Sequence, residues 1–224
     1  MIRTYYMRII IICTLLLLFA KKAICQHFDT VRLQKNTVIL GAYDDDAIIK
    51  QGDSLILKNE IKEAIEKYTM VIELSPLNEE AVSKRAFAYL QLDIYKNSLL
   101  DYNTAIKINE ANYVSLSNRA LVKWYLKDYY GAIDDCNKAI KLNSKYWLAY
   151  FHKGICYFEL DEYRKAIDCY DMVIQMDQHY SRAYFNRGNA KFELKDSAGA
   201  CDDWYIANLM GSKMAFGMRE KYCK

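Results

Sequence analysis

Residues 151–177, FHKGICYFELDEYRKAIDCYDMVIQMD, decide the fold. A small residue, Gly154, is followed twelve positions later by another, Ala166. A large aromatic, Tyr170, comes four positions on, and Val173 three beyond that. The pattern predicts two amphipathic helices of roughly 13 residues joined by a tight turn at Asp161. The small residue of the first helix lets the second approach closely, the small residue of the second does the same from its side, and the aromatic fills the space between them.

The same register extends in both directions at 34-residue intervals: Gly52, Ala86, Ala120, Gly154, Gly188; then Ala64, Ser98, Ala132, Ala166, Ala200; then Tyr68, Tyr102, Cys136, Tyr170, Trp204; then Val71, Ala105, Ala139, Val173, Ala207. Asn59, Asp93, Asp128, Asp161 and Asp196, residue types suited to turns and helix ends, mark the five turns. The only proline, Pro76, stands at the end of the first unit, and glycine occurs eight times, a scarcity that favours helices with short connections. Trp147, Tyr150, Tyr180 and Tyr184 fall at unit junctions, where they pack one hairpin on the next.

SKRAFAYLQLDIYKNSLLDYNTAIKIN (83–109), residues 151–177 and FNRGNAKFELKDSAGACDDWYIANLMG (185–211) resemble tetratricopeptide repeats, and the likeness spans residues 45–212. The last unit is also similar to Sel-one-like repeats. Leu55, Lys123 and Lys191 depart from the family pattern, which usually has an aromatic there; Trp124 and Phe192 follow the two lysines directly. The resemblance implies an all-α fold: a right-handed α-α superhelix, or solenoid, of five helix hairpins (45–78, 79–112, 113–146, 147–180, 181–212). Residues 213–224 are expected to form a capping helix that covers the apolar face of the last hairpin. Asp44, Asp45 and Asp46 suit the N-terminus of the first helix.

Residues 1–25 read as a targeting segment of a bacterial exported protein. A basic stretch, Met1–Arg8, precedes an apolar run from Ile9 to Ala20 that spans roughly 18 Å as a helix, short of a bilayer's ~30 Å core. It fits a signal peptide cleaved after Cys25. Lys21 and Lys22 keep an uncleaved membrane anchor as the second reading, and Cys25 a lipoprotein as the third. Residues 26–44 form an N-terminal arm. The expected location is periplasmic or secreted, or membrane-anchored through the N-terminal segment alone. Net charge is +3, and this leader holds four cations and no acid, so the remainder stands at −1. No nucleic-acid partner is expected from such a body.

No catalytic constellation, cofactor motif or metal-ligand spacing stands out, and none of the three is expected. Cys136, Cys156, Cys169, Cys201 and Cys223 remain after the leader, mostly reduced and buried, with one bridge that spacing does not assign. Asp134-Asp135-Cys136 and Cys201-Asp202-Asp203 read as solvated helix faces beside a buried cysteine rather than as metal sites.

What the repeats leave over is a surface. The resemblance implies that the first helices line a concave face on which a peptide or protein lies. The expected binding residues are Lys84, Phe87, Asn118, Leu121, Phe151, His152, Ile155, Phe185, Asn186 and Asn189. Asparagine amides pair with both donor and acceptor of an extended backbone, and the phenylalanines hold side chains. Some relatives clamp a C-terminal carboxylate with a lysine at positions that here carry Ile49, Ser83, Ser117, Phe151 and Phe185, so no carboxylate-clamp chaperone partner is expected. The resulting expectation is a non-catalytic scaffold. The alternatives are an accessory or self-assembling structural subunit of an envelope complex, or a Sel-one-like enzyme-associated protein.

Overall fold

The computed structural model describes residues 44–223; the leader and all but the last residue of the N-terminal arm lie outside the described residues. Residues 1–48 and 49–224 are two separate units. Of the first, only the start of a helix is described. Asp44 accepts from the amides of Asp46 and Ala47, as the acidic run there predicts.

Eleven helices follow in the described residues. The first helices of the hairpins (A helices) are α1 (Asp45–Leu57), α3 (Glu79–Gln91), α5 (Tyr113–Tyr125), α7 (Trp147–Glu159) and α9 (Ser181–Glu193). The second (B) helices are α2 (Ile61–Leu74), α4 (Tyr95–Ile108), α6 (Tyr129–Leu142), α8 (Tyr163–Met176) and α10 (Ser197–Leu209); α11 (Lys213–Tyr222) ends the stack. Within residues 49–224, α3 to α10 pair as antiparallel hairpins, and each B helix also packs on the next A helix. Successive A helices touch, α3 with α5, α5 with α7 and α7 with α9, which makes theirs the inner face of an all-α helical-repeat superhelix.

The small–large logic holds atom by atom. A Cβ on Gly52, Gly154 or Gly188 would come within 2.5 Å of Tyr68, 2.6 Å of Tyr170 and 2.7 Å of Trp204, respectively. Tyr68, Tyr102, Tyr170 and Trp204 are buried to 1% exposure or less. Where the second small residue is Ser98, its hydroxyl donates to the Ala86 carbonyl at 2.8 Å, a measure of how close the two helices run.

The turns obey one rule with two kinds of residue. Each A helix ends on a left-handed residue: Asn59, Asp93, Lys127, Asp161 and Lys195, with φ between 58° and 68°. Each is followed by an amide that bonds five residues back, as Glu60 does to the Leu55 carbonyl. Asn59, Asp93 and Asp161 thus end the A helix. Asp128 and Asp196 instead cap the B helix, accepting from Gly131 and Gly199, and lysine holds the strained position before them. B helices end without the family's proline in the later units because Asn109, Asn143 and Asp177 accept the amide two residues on and turn the chain that way.

The helix α11 takes the place of an A helix after the fifth hairpin. Its third residue, Ala215, is fully buried, like Ala81, Ser115, Ala149 and Ala183 at the third position of their A helices. Its eighth residue is Glu220, where the others carry Gly or Ala. Cys201–Cys223 is a disulfide that ties its end to α10, while Cys136, Cys156 and Cys169 are free and buried. Cys201 is thus bridged rather than a buried thiol.

Candidate functional site

The A helices present one residue of every turn to the inner face. Between α3 and α11 they enclose a cavity of about 540 Å³. Phe87, Asn118, Leu121, Phe151, His152, Ile155, Phe185, Asn186 and Asn189 line it together. The remaining expected residue, Lys84, lines a smaller neighbouring cleft with Phe87 and Asn118. Its ammonium binds both carboxylate oxygens of Asp53 at 2.8–2.9 Å, and Asp53 also accepts the Tyr68 hydroxyl.

Other wall residues were missed by sequence reasoning: Leu148, Arg182 and Met214 at the second position of their helices, and Trp124, Tyr125, Phe158 and Glu159 in the last turns. Leu148 and Arg182 lie one turn before His152 and Asn186, Trp124, Tyr125, Phe158 and Glu159 one turn after Leu121 and Ile155, and Met214 at the matching position of α11, so extending the i, i+3, i+4 spacing would have found them. Tyr170 and Tyr180 enter from a B helix and a junction.

The wall is almost free of charge. Glu159 and Arg182 are the only carboxylate and guanidinium among its described residues. His152 is neutral, because burial lowers its pKa to about 4. Its Nδ1 lies 3.0 Å from both the carbonyl and the hydroxyl of Ser117. A carbonyl can only accept, so Nδ1 carries the proton and Nε2 is left as an acceptor. Asn189 accepts from the Trp204 indole at 3.0 Å, which leaves its NH2 group available. The Trp124 indole N–H is buried and makes no hydrogen bond. Phe151 makes an edge-to-face contact with Tyr180, which in turn packs on Trp147, as the junction aromatics predict.

Behind the face runs a series of ion pairs that the sequence reading did not find. The Arg85, Arg119 and Arg187 guanidiniums each bind the carboxylate sixteen residues on, in the partner B helix: Asp101, Asp135 and Asp203. Each also reaches the preceding B helix, at Thr69, Asn103 or Asp171. One arginine therefore staples three helices. Asp135 and Asp203, expected on solvated faces, are instead buried, while Asp134 and Asp202 are exposed. The departures at Lys123 and Lys191 have the same cause: each places a second cation 2.8 Å from one of these buried carboxylates. Hairpin α7/α8 has Lys153 and Cys169 at the two staple positions and no such pair.

No metal-holding cluster occurs among the described residues, and no helix there is long and apolar enough to cross a membrane. No match was found among curated proteins. Solved structures are similar in fold. A MamA protein shares 22% identity with TM-score 0.63, over 80% of this chain and 94% of that one. YrrB, described as a TPR protein with an unusual peptide-binding site, shares 18% with TM-score 0.63, over 87% and 97%. PilF of Pseudomonas aeruginosa shares 14% with TM-score 0.69, over 75% and 77%. The tetratricopeptide repeat family model matches residues 113–146 and, separately, 147–180. Those two matched units, repeated in register along α1 to α10, identify the chain as a tetratricopeptide-repeat protein, with the fold of a protein-interaction scaffold.

Proposed function

We propose that this protein is a non-catalytic scaffold that binds an extended peptide segment of a partner across its A-helix face. The observation that carries this reading is the cavity itself: side chains 34 residues apart converge on one largely uncharged, aromatic-lined space with amide groups at its edge. Such a wall selects an apolar segment, whose side chains sit against Phe151, Ile155 and Phe185. The Asn118 and Asn186 amides and the free acceptor of His152 pair with its backbone. YrrB, which shares the fold, is described with a peptide-binding site of its own.

The expected setting is extracytoplasmic. The basic-then-apolar leader supports it, as does the Cys201–Cys223 disulfide, a bond that persists in oxidising compartments. No carboxylate-clamp partner is proposed, because the lysine positions of that clamp are occupied by other residues.

Two experiments test the reading. Immobilised residues 26–224 should retain a partner from the native cell that Asn118→Ala with Asn186→Ala loses; undiminished capture by the double variant would move the site off this face. N-terminal sequencing of native protein should begin at Gln26, whereas a chain that keeps its apolar run would contradict cleavage.

A further inference from the structure

A second cavity, of about 710 Å³, lies between the B helices α4 and α6 and shares no residue with the A-face cavity. Its floor is apolar: Ile106 from α4 and the buried Leu116 of α5, with Leu142 of α6 at the lip, 47% exposed. Lys107, Lys138 and Lys141 stand around that floor, all exposed and in no ion pair among the described residues. Arg119 also reaches the cavity, but its guanidinium is held by Asp135 and Asn103. Asp135 already serves two cations, Arg119 and Lys123, so it offsets none of the three lysines. The single acid in the wall is Glu110.

Packing does not require these lysines. Lys107 and Lys141 lie in the last turns of α4 and α6, where a cation suits the helix dipole. Yet α8 ends with Gln175 at that register and α2 with Glu73. The register of Lys138 is Met70, Thr104, Met172 or Ile206 in the other B helices. The lysines are therefore a local addition to one cleft of the stack.

We propose that this cleft is a second docking surface, and that its occupant is an acidic amphipathic segment of a partner protein. Carboxylates on one side of the segment meet the three ammoniums, and its apolar side covers Ile106, Leu116 and Leu142. An apolar floor ringed by cations matches that chemistry better than a sugar–phosphate backbone, which would leave the floor uncovered. This surface works independently of the A face, so the two can engage different segments at once.

The test uses the full chain and two fluorescein-labelled helical peptides about four turns long. One carries Leu along one face and Glu along the other; its twin has Gln for every Glu. The Glu peptide should bind, with an affinity that falls as salt rises. Lys107→Gln with Lys138→Gln and Lys141→Gln should weaken it about tenfold or more, as expected for the loss of three exposed pairs. Asn118→Ala with Asn186→Ala should leave it unchanged. Circular dichroism of the triple variant checks that it remains folded, as surface changes allow. No binding, equal binding of the Gln twin, an unaffected triple variant, or displacement of the peptide by a short single-stranded DNA would each overturn the proposal. So would loss of binding in the asparagine pair.

Discussion

Hairpins α5/α6 and α7/α8 are neighbours built on one template, and they are held together differently. In α5/α6 a buried carboxylate, Asp135, carries Arg119 and Lys123, and the arginine reaches back to Asn103. In α7/α8 the corresponding positions are Lys153 and Cys169; Lys153 lies 5.7 Å from the Tyr157 ring, and the interior is filled by aromatics and thiols. Both nevertheless keep the same helix lengths and the same left-handed turn, although the position that packs between the helices is Cys136 against Ala120 in one and Tyr170 against Gly154 in the other. The shared geometry therefore does not depend on the ion-pair staple, which is a local means of joining three helices. The unstapled hairpin also supplies Phe151, His152 and Ile155, the middle of the inner cavity. Its side chains are given over to an apolar wall rather than to pairing.

The comparison can be broken most forcefully at Asp135. Asp135→Ala should cost about 3–5 kcal/mol in urea unfolding, because two largely buried cations lose their partner. Lys153→Ala in the neighbouring hairpin should cost under about 1 kcal/mol. Equal losses would mean that the staple adds nothing particular to its hairpin.

Acid should single out the unstapled hairpin next. Folding lowers the His152 pKa from 6.5 to about 4, so the unfolded chain takes up its proton first as pH falls. Stability associated with this group is complete above about pH 6.5 and declines towards pH 4, by roughly 3 kcal/mol in all. His152→Asn, which restores the residue type of Asn118 and Asn186, should flatten that decline in parallel urea titrations at pH 7 and pH 4.5. An unchanged slope would show that other groups carry the acid sensitivity.

Transplanting the staple should do less. Lys153→Arg with Cys169→Asp is expected to shift stability by no more than about 1 kcal/mol, since burying the new pair offsets most of its attraction. Smallest of all is the turn. Lys127→Gly should raise stability by about 0.5–1 kcal/mol by relieving a left-handed lysine. The same change at Asp161, a residue type that tolerates this conformation, should gain less.

Much of this architecture is legible in the chain, because helix-to-helix contact imposes a volume constraint at every 34th residue. Gly154 and Tyr170 announce their contact by size alone. The turns were only partly legible. The spacing from Asp93 to Asp128 is one residue too long, and that slip marked Asp128 as a cap and Lys127 as the left-handed residue. The staples were hidden because a buried aspartate looks like a solvated one until its partner is located. The constant separation of sixteen residues between Arg85 and Asp101, Arg119 and Asp135, and Arg187 and Asp203 was the available signal. The pairing of Cys201 with Cys223 depends on where α11 returns to α10, which no local pattern encodes. At the candidate site, the central stripe was readable from register, and its ends required following the helix one more turn.

The most direct test of the proposed inner site is site-specific photo-crosslinking. A benzophenone side chain placed at Phe185, in the cavity wall, is compared with one at Leu100, 66% exposed on a B helix. Adducts to a partner peptide from position 185 and none from position 100 are the predicted result. Adducts from position 100 alone would contradict binding on the A-helix face.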